Sequence, residues 1–285
     1  VRIAHLGLGN FHRSHQAWYT QCVNDAGGDW GIAAFSGRGA GIAESLAEQQ
    51  GVYTLIERGA DDAAGLIQSI VACGSGSDTA EWRRRIESAD VGILTMTVTE
   101  AGYRATGFAP DWTDADLLDD VIALREGRGP TTATGRIVDG LRARRVAGAP
   151  RLSIISCDNL PANGRVARGV VLGLAERVDE NLAAWIESEV TFVSTMVDRI
   201  TPVTTDADRA VARAMTGFDD RVPVVAEPFS EWVLEDFVGD RPDWSSVGAR
   251  FVDDVAPYEQ RKLWLLNAGH SLLAYRGLLR GHETV

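Results

Sequence analysis

The feature that most constrains this chain is its start, where a short apolar run, Val1-Arg-Ile-Ala-His-Leu, drives straight into Gly7-Leu-Gly9-Asn10-Phe11 and a helical stretch. A strand ending in Gly-x-Gly at a helix start gathers unpaired backbone N–H groups and the positive end of a helix dipole at one point. A pyrophosphate can sit there, so the pattern predicts a dinucleotide cofactor over Gly7, Gly9, Asn10 and Phe11. His12 replaces the third glycine of the usual fingerprint, so the helix must meet the strand over a bulkier residue. A glycine-rich turn without a ligand is the competing reading.

Beyond the turn, Phe11 to Ala26 reads as one helix and Trp30 to Phe35 as a second buried strand ending at Ser36-Gly37-Arg38, a β-α-β unit. The second strand of such a unit normally carries an acid that bonds the adenosine ribose 2′-hydroxyl. Ser36 and Arg38 stand in its place, so both NAD and NADP stay open, and Arg38 reads equally as a phosphate ligand or a solvated cation. Val52 to Ile56, Val91 to Val98 and Arg151 to Ser156 are strand-like, while Asp78 to Ala89 and Thr134 to Ala147 are helical. Apolar runs alternating with helices indicate a parallel sheet covered on both faces, an α/β doubly wound Rossmann-type fold. Ligands of such sheets collect beyond the strands' carboxyl ends, here Thr97 to Tyr103, with Thr99 among them, and Cys157 to Gly164. After a helix around Ala207 to Met215, Pro257 opens a long helix towards Leu279. The expected division is a dinucleotide-binding domain over 1–255 and the beginning of a helical substrate domain over 256–285.

Composition excludes several classes of function. A hydrophobic fraction of 45% with 24% charged residues is that of a soluble globular protein. The net charge of −12 disfavours nucleic acid and anionic membranes, which need a basic field, and leaves small molecules as partners. Cys22, Cys73 and Cys157 are scattered, so neither a disulfide framework nor a zinc site is expected, and a reducing, cytoplasmic setting fits. No apolar run approaches the roughly 20 residues that span a bilayer. The missing initiator Met suggests a trimmed N-terminus.

The helix after Pro257 carries Lys262, Asn267 and His270 among Leu and Trp. At about 100° per residue the three fall within an arc of about 140° along about 12 Å of axis, so one side can present them together. A desolvated lysine has a lowered pKa and becomes a candidate base for a hydroxyl proton. Asn267 can donate to an alkoxide or carbonyl oxygen, and His270 can hold a substrate hydroxyl. The competing arrangement is an interface helix with Lys262 snorkelling to water. Asn159, at a strand end, can face the same pocket. Asp198-Arg199 reads equally as an ion pair or as an orienting acid.

Gly7-Leu-Gly9-Asn-Phe-His12-Arg13-Ser-His15-Gln, Thr97-Val-Thr-Glu100-Ala-Gly102-Tyr103, Ser156-Cys-Asp-Asn159-Leu-Pro-Ala-Asn163-Gly164, Thr195-Met-Val-Asp198-Arg-Ile-Thr-Pro202 and Lys262-x4-Asn267-x2-His270 together resemble the mannitol dehydrogenase family, the polyol-specific long-chain dehydrogenases. The resemblance implies a metal-independent, NAD(P)-linked interconversion of a secondary alcohol and a ketone, and favours NAD. It implies Lys262 as general base, Asn159 and Asn267 polarising the reacting oxygen, His270 orienting substrate, Asp198 nearby, and Glu259 relaying the proton to water. The substrate implied is a hexitol or sugar acid, with Cys157-Asp-Asn159 and His270 to Tyr275 closer to the mannonate/fructuronate branch than to the mannitol/fructose branch. A non-enzymatic dinucleotide-binding sensor is the alternative of another class. Family members continue into a large helical domain, whereas this chain stops at Val285, so either the chain is partial or its pocket is open on one side.

Overall fold

The computed structural model describes residues 1–37 and 39–282, so the expectation for Arg38 lies outside the described residues. Six strands, β1 (Ile3–Leu6), β2 (Ile32–Ser36), β3 (Ile70–Ser75), β4 (Ile93–Met96), β5 (Leu152–Ser156) and β6 (Val190–Val193), form one sheet. They are all parallel and run β3-β2-β1-β4-β5-β6 across it. Every residue of β1, β2, β4 and β5 is buried, which is why these segments read as near-continuous apolar runs. One face packs Leu94 and Met96 against Trp82, Ile86 and Leu141 of the helices Thr79–Ile86 and Ala133–Ala147. The other packs Ile3 and Ile32 against Tyr19 of the helix Gln16–Asp25 and against Trp232 and Trp244. This is the expected doubly wound fold. Its strand order reverses between β1 and β4, so a crevice opens beyond their carboxyl ends.

Several local expectations are corrected. The strand Tyr53–Glu57 leaves the main sheet for a three-stranded one, antiparallel to Ala63–Ile67 and parallel to Val224–Ala226. The edge place is taken by β3, whose interrupted burial gives no continuous apolar run. The single helix expected over Phe11 to Ala26 is two, Asn10–Ser14 and Gln16–Asp25. They break at His15 (φ −120°, ψ −89°), whose buried ring stacks on Phe11 at 4.9 Å and lies 3.1 Å from the Glu231 carbonyl. That long-range contact overrides local helix propensity.

His12 shows how the missing third glycine is accommodated. Its buried ring lies flat on that of His5 in β1, centroids 3.3 Å apart and 10° from parallel, so two stacked imidazoles space the helix from the strand. His5 is anchored through Nδ1 to the Thr95 hydroxyl at 2.8 Å. The two glycines of the turn serve different ends. Gly7 has φ +112°, and a Cβ there would lie 1.9 Å from the Thr97 carbonyl oxygen, whereas a Cβ on Gly9 would meet only the Gly7 carbonyl oxygen at 3.6 Å. Gly7→Ala should therefore cost roughly 2–5 kcal/mol of stability from strain and overpacking, read in a denaturant titration. Gly9→Ala should unfold like the native chain.

Burial pushes the pKa of both His5 and His15 down to about 3 and holds His12 well below its usual range. Below about pH 6.5 the unfolded chain takes up protons that the folded chain refuses, so stability falls as pH drops from about 6.5 towards 3. Chemical denaturation should show that decline already between about pH 6.5 and 5, above the carboxylate range. A flat profile there would contradict it.

Candidate active site

The crevice beyond β1 and β4 is a cleft of about 490 Å³ whose walls include Gly7, Asn10, Phe11, Thr99, Asp198 and Lys262. Gly9, Thr97 and Asn159 also border it. The turn is built tightly: Thr97 donates its N–H to the Leu6 carbonyl at 2.9 Å and its hydroxyl to the Gly7 carbonyl at 2.8 Å. Asn10 is oriented by Arg13, whose Nη2 donates to Oδ1 at 2.7 Å. Six of the seven expected cofactor positions are described, and five of them, Gly7, Gly9, Asn10, Phe11 and Thr99, line this cleft. Ser36 stands apart at the end of β2, buried, with a hydroxyl that has no partner among the described residues.

Lys262 closes the other end. Its Nζ does not snorkel outward but donates to the Val197 carbonyl at 2.6 Å and to Asn159 Oδ1 at 3.1 Å, with Asp198 Oδ1 at 3.8 Å. The Lys262 and Asp198 side chains are only 12% and 13% exposed. Burial lowers the Lys262 pKa, and the Asp198 and Glu231 charges oppose this. Burial also raises the Asp198 pKa against the pull of Lys262. The desolvation has a different source from the one expected. The helix's own apolar residues turn away, Trp264 and Leu265 each being 73% exposed, and the edge formed by Asn159 and Val197 to Asp198 removes the amine from water.

The long helix towards Leu279 is also not uniform. Ala256–Arg261 and Ala268–Leu279 are α-helical, but Lys262–Asn267 between them is a π-helix. The expected spacing of 100° per residue does not hold there. Pairing of i with i+5 stacks Asn267 on Lys262, and such segments are frequent at functional sites. Lys262, Asn267, Asn159 and Glu259 share a cavity of about 240 Å³ that adjoins the cleft. The Glu259 carboxylate accepts the Ala162 N–H at 3.0 and 3.3 Å, and burial raises its pKa. His270 is exposed, yet close enough for its charge to favour ionised Asp198.

Asp198 and Arg199 part company. Arg199 turns inward to Glu57 at 2.5 Å and to the Ser14 carbonyl at 2.6 Å, while Asp198 faces Lys262. Asn163, in the same stretch as Asn159, is occupied structurally, its amide spanning the Asp158 and Thr195 carbonyls.

Two features escape the motif reading. Asp158 is buried and accepts hydrogen bonds from the backbone N–H groups of Val98 and Thr99 and from the Tyr103 hydroxyl. Its only sequence signal is an acid directly before Asn159 at a strand end. The other is compositional: Lys262 is the only lysine among the 285 residues, every other cationic side chain of that class being arginine.

Among the described residues no helix is long and apolar enough to cross a membrane. Residues 1–246 match the mannitol dehydrogenase Rossmann domain, and residues 254–285 match the mannitol dehydrogenase C-terminal domain. The chain is 42% identical over 294 residues to D-mannonate oxidoreductase of Escherichia coli K12, a match covering 100% of this chain and 60% of that protein. It is also 42% identical over 295 residues to mannitol 2-dehydrogenase of Cereibacter sphaeroides, covering 99% and 60% respectively. It superposes with TM-score 0.89 on Pseudomonas fluorescens mannitol 2-dehydrogenase in ternary complex with NAD and D-mannitol, at 38% identity, covering 99% of this chain and 58% of that one. The chain thus spans about 60% of the length of the relatives it matches. Matched along both domains, and bearing out the resemblance carried by its motifs, the chain belongs to the mannitol dehydrogenase family.

Proposed function

We propose that this chain is the coenzyme-binding and proton-transferring part of an NAD(P)-dependent oxidoreductase that interconverts a secondary alcohol and a ketone of a hexitol or sugar acid. Among such substrates the reading favours D-mannonate and D-fructuronate. The observation that carries it is the chain's one lysine, its side chain only 12% exposed, at the end of a cleft of about 490 Å³. Arginine cannot be deprotonated in proteins, and a site that must accept a proton requires the exception. The division near Ala256 belongs to the same reading, with residues 256–285 beginning the substrate domain.

Gly7 to Phe11 would hold the coenzyme pyrophosphate, because a Cβ-free approach at Gly9 leaves the cleft wall open beside backbone N–H groups. The nicotinamide supplies hydride acceptance and donation. The residues of the chain do the rest. In alcohol oxidation the carbinol hydroxyl gives its proton to neutral Lys262 Nζ as the carbinol carbon loses its hydride and the carbon–oxygen double bond forms. Asn159 and Asn267 point amide groups at that oxygen and stabilise its developing negative charge without changing their own. Asp198 keeps the ammonium form accessible after transfer, and Glu259 takes the proton onward towards water. His270 orients the substrate. The relative named D-mannonate oxidoreductase motivates the sugar-acid preference. The relative named polyol:NADP oxidoreductase, 37% identical over 295 residues, and Ser36 in place of an acid at the end of β2 both support acceptance of NADPH beside NADH.

Fructuronate, tagaturonate and fructose, each offered with both reduced coenzymes, test the reading by loss of nicotinamide absorbance. Fructuronate should be turned over fastest. Coenzyme binding without turnover of any of the three would favour the sensor alternative. Lys262→Met and Lys262→Arg should each cut turnover by roughly 10²–10⁴ while leaving NADH affinity near native. Oxidation by the native enzyme should rise with pH as Lys262 loses its proton, and both variants should lack that limb. Near-native turnover in either would remove Lys262 from the mechanism.

A further inference from the structure

We infer that Asp158 is a positioning residue for the coenzyme: its carboxylate forks across the Val98 and Thr99 N–H groups and holds Thr99 in a strained conformation that shapes the cleft wall. The inference rests on the proposed function in one respect, that the cleft takes a nicotinamide coenzyme. Thr99 has φ +66° and ψ 160°, a region that is essentially glycine's alone and is worse still for a β-branched side chain. Arg104 and Ala162 also have positive φ but lie in the ordinary left-handed basin, at ψ 49° and 38°. Backbone so far from its preferred basins persists only where the surroundings over-determine it.

Asp158 supplies that constraint. Oδ1 accepts the Thr99 N–H at 2.8 Å, and Oδ2 accepts the Val98 N–H at 3.1 Å and the Tyr103 hydroxyl at 2.8 Å. Three donors partly offset the burial of a carboxylate whose residue is 7% exposed. The next residue is Asn159, which accepts from Lys262 Nζ, and the Asp158 carbonyl is itself pinned by Asn163 Nδ2 at 2.8 Å. One acid therefore ties the loop after β4, which borders the coenzyme cleft, to the amide beside the proposed base.

Asp158→Asn is the discriminating substitution. An amide of the same shape offers one oxygen, so it can serve only one of the two backbone N–H groups, and its own NH₂ meets the other. The NADH dissociation constant, read by fluorescence titration, should rise by about tenfold or more. In a Thr99→Gly background, where glycine populates the required conformation unaided, the same substitution should cost less than about threefold. A purely stabilising role predicts equal losses in both backgrounds and would overturn the inference, as would unchanged NADH affinity in folded Asp158→Asn. Failure of the native protein to bind NADH would strike the proposed function instead. Thr99→Gly alone should raise the melting temperature by releasing strain. That measurement decides the matter if the Asp158 variants do not fold, with an unchanged or lowered value counting against it.

Discussion

Removal of one amine from water organises this site. Lys262 Nζ has two neutral acceptors, the Val197 carbonyl and Asn159 Oδ1, at hydrogen-bond distance, and its carboxylate neighbour Asp198 is farther off at 3.8 Å. Burial favours the neutral amine, and the Asp198 and Glu231 charges favour the ammonium form. Because burial is the larger influence, the group is held below the ordinary lysine range while still able to carry a proton. Asn159 arrives from just beyond the end of β5, and Val197 and Asp198 both from the strand Thr195–Asp198, to meet an amine carried by the helical segment that follows Ala256–Arg261. The doubly wound sheet makes that convergence possible by opening its crevice where the strand order reverses.

The Gly7–Phe11 side of the cleft depends on equally specific packing. Gly7 tolerates no side chain because the Thr97 carbonyl fills the space a Cβ would take, and the Thr97 hydroxyl binds the Gly7 carbonyl in turn. The stacked pair His5 and His12 sets the distance between helix and strand in place of the third glycine. Both imidazoles are kept neutral by burial, so the spacer carries no charge beneath the place proposed for the pyrophosphate.

Much of this was legible in the chain. Fully buried strands write themselves as near-continuous apolar runs, so β1, β2, β4 and β5 could be found from the hydrophobic pattern. Lys262 and Asn267 stand out because polar residues interrupt an apolar helix. What escaped depends on contacts distant in sequence. The break at His15 is made with Glu231, and the edge strand β3 is only partly buried. Asp158 acts on Val98 and Thr99, some sixty residues earlier. Helical periodicity misled at Lys262–Asn267, because a π-segment obeys another register. The solitary lysine was visible in the residue counts, and its meaning emerged only when its amine was found turned inward.

That solitude makes the central claim directly measurable. Labelling this 285-residue chain with lysine carrying ¹³C at Cε yields one lysine side-chain resonance, that of Lys262, whose shift reports its protonation as pH is varied. A midpoint clearly below the ordinary lysine value of 10.5 is the result predicted for an amine desolvated at the sheet edge. A midpoint at or above 10.5 would show Lys262 to be a solvated or salt-bridged cation, and would contradict its place as the proton acceptor.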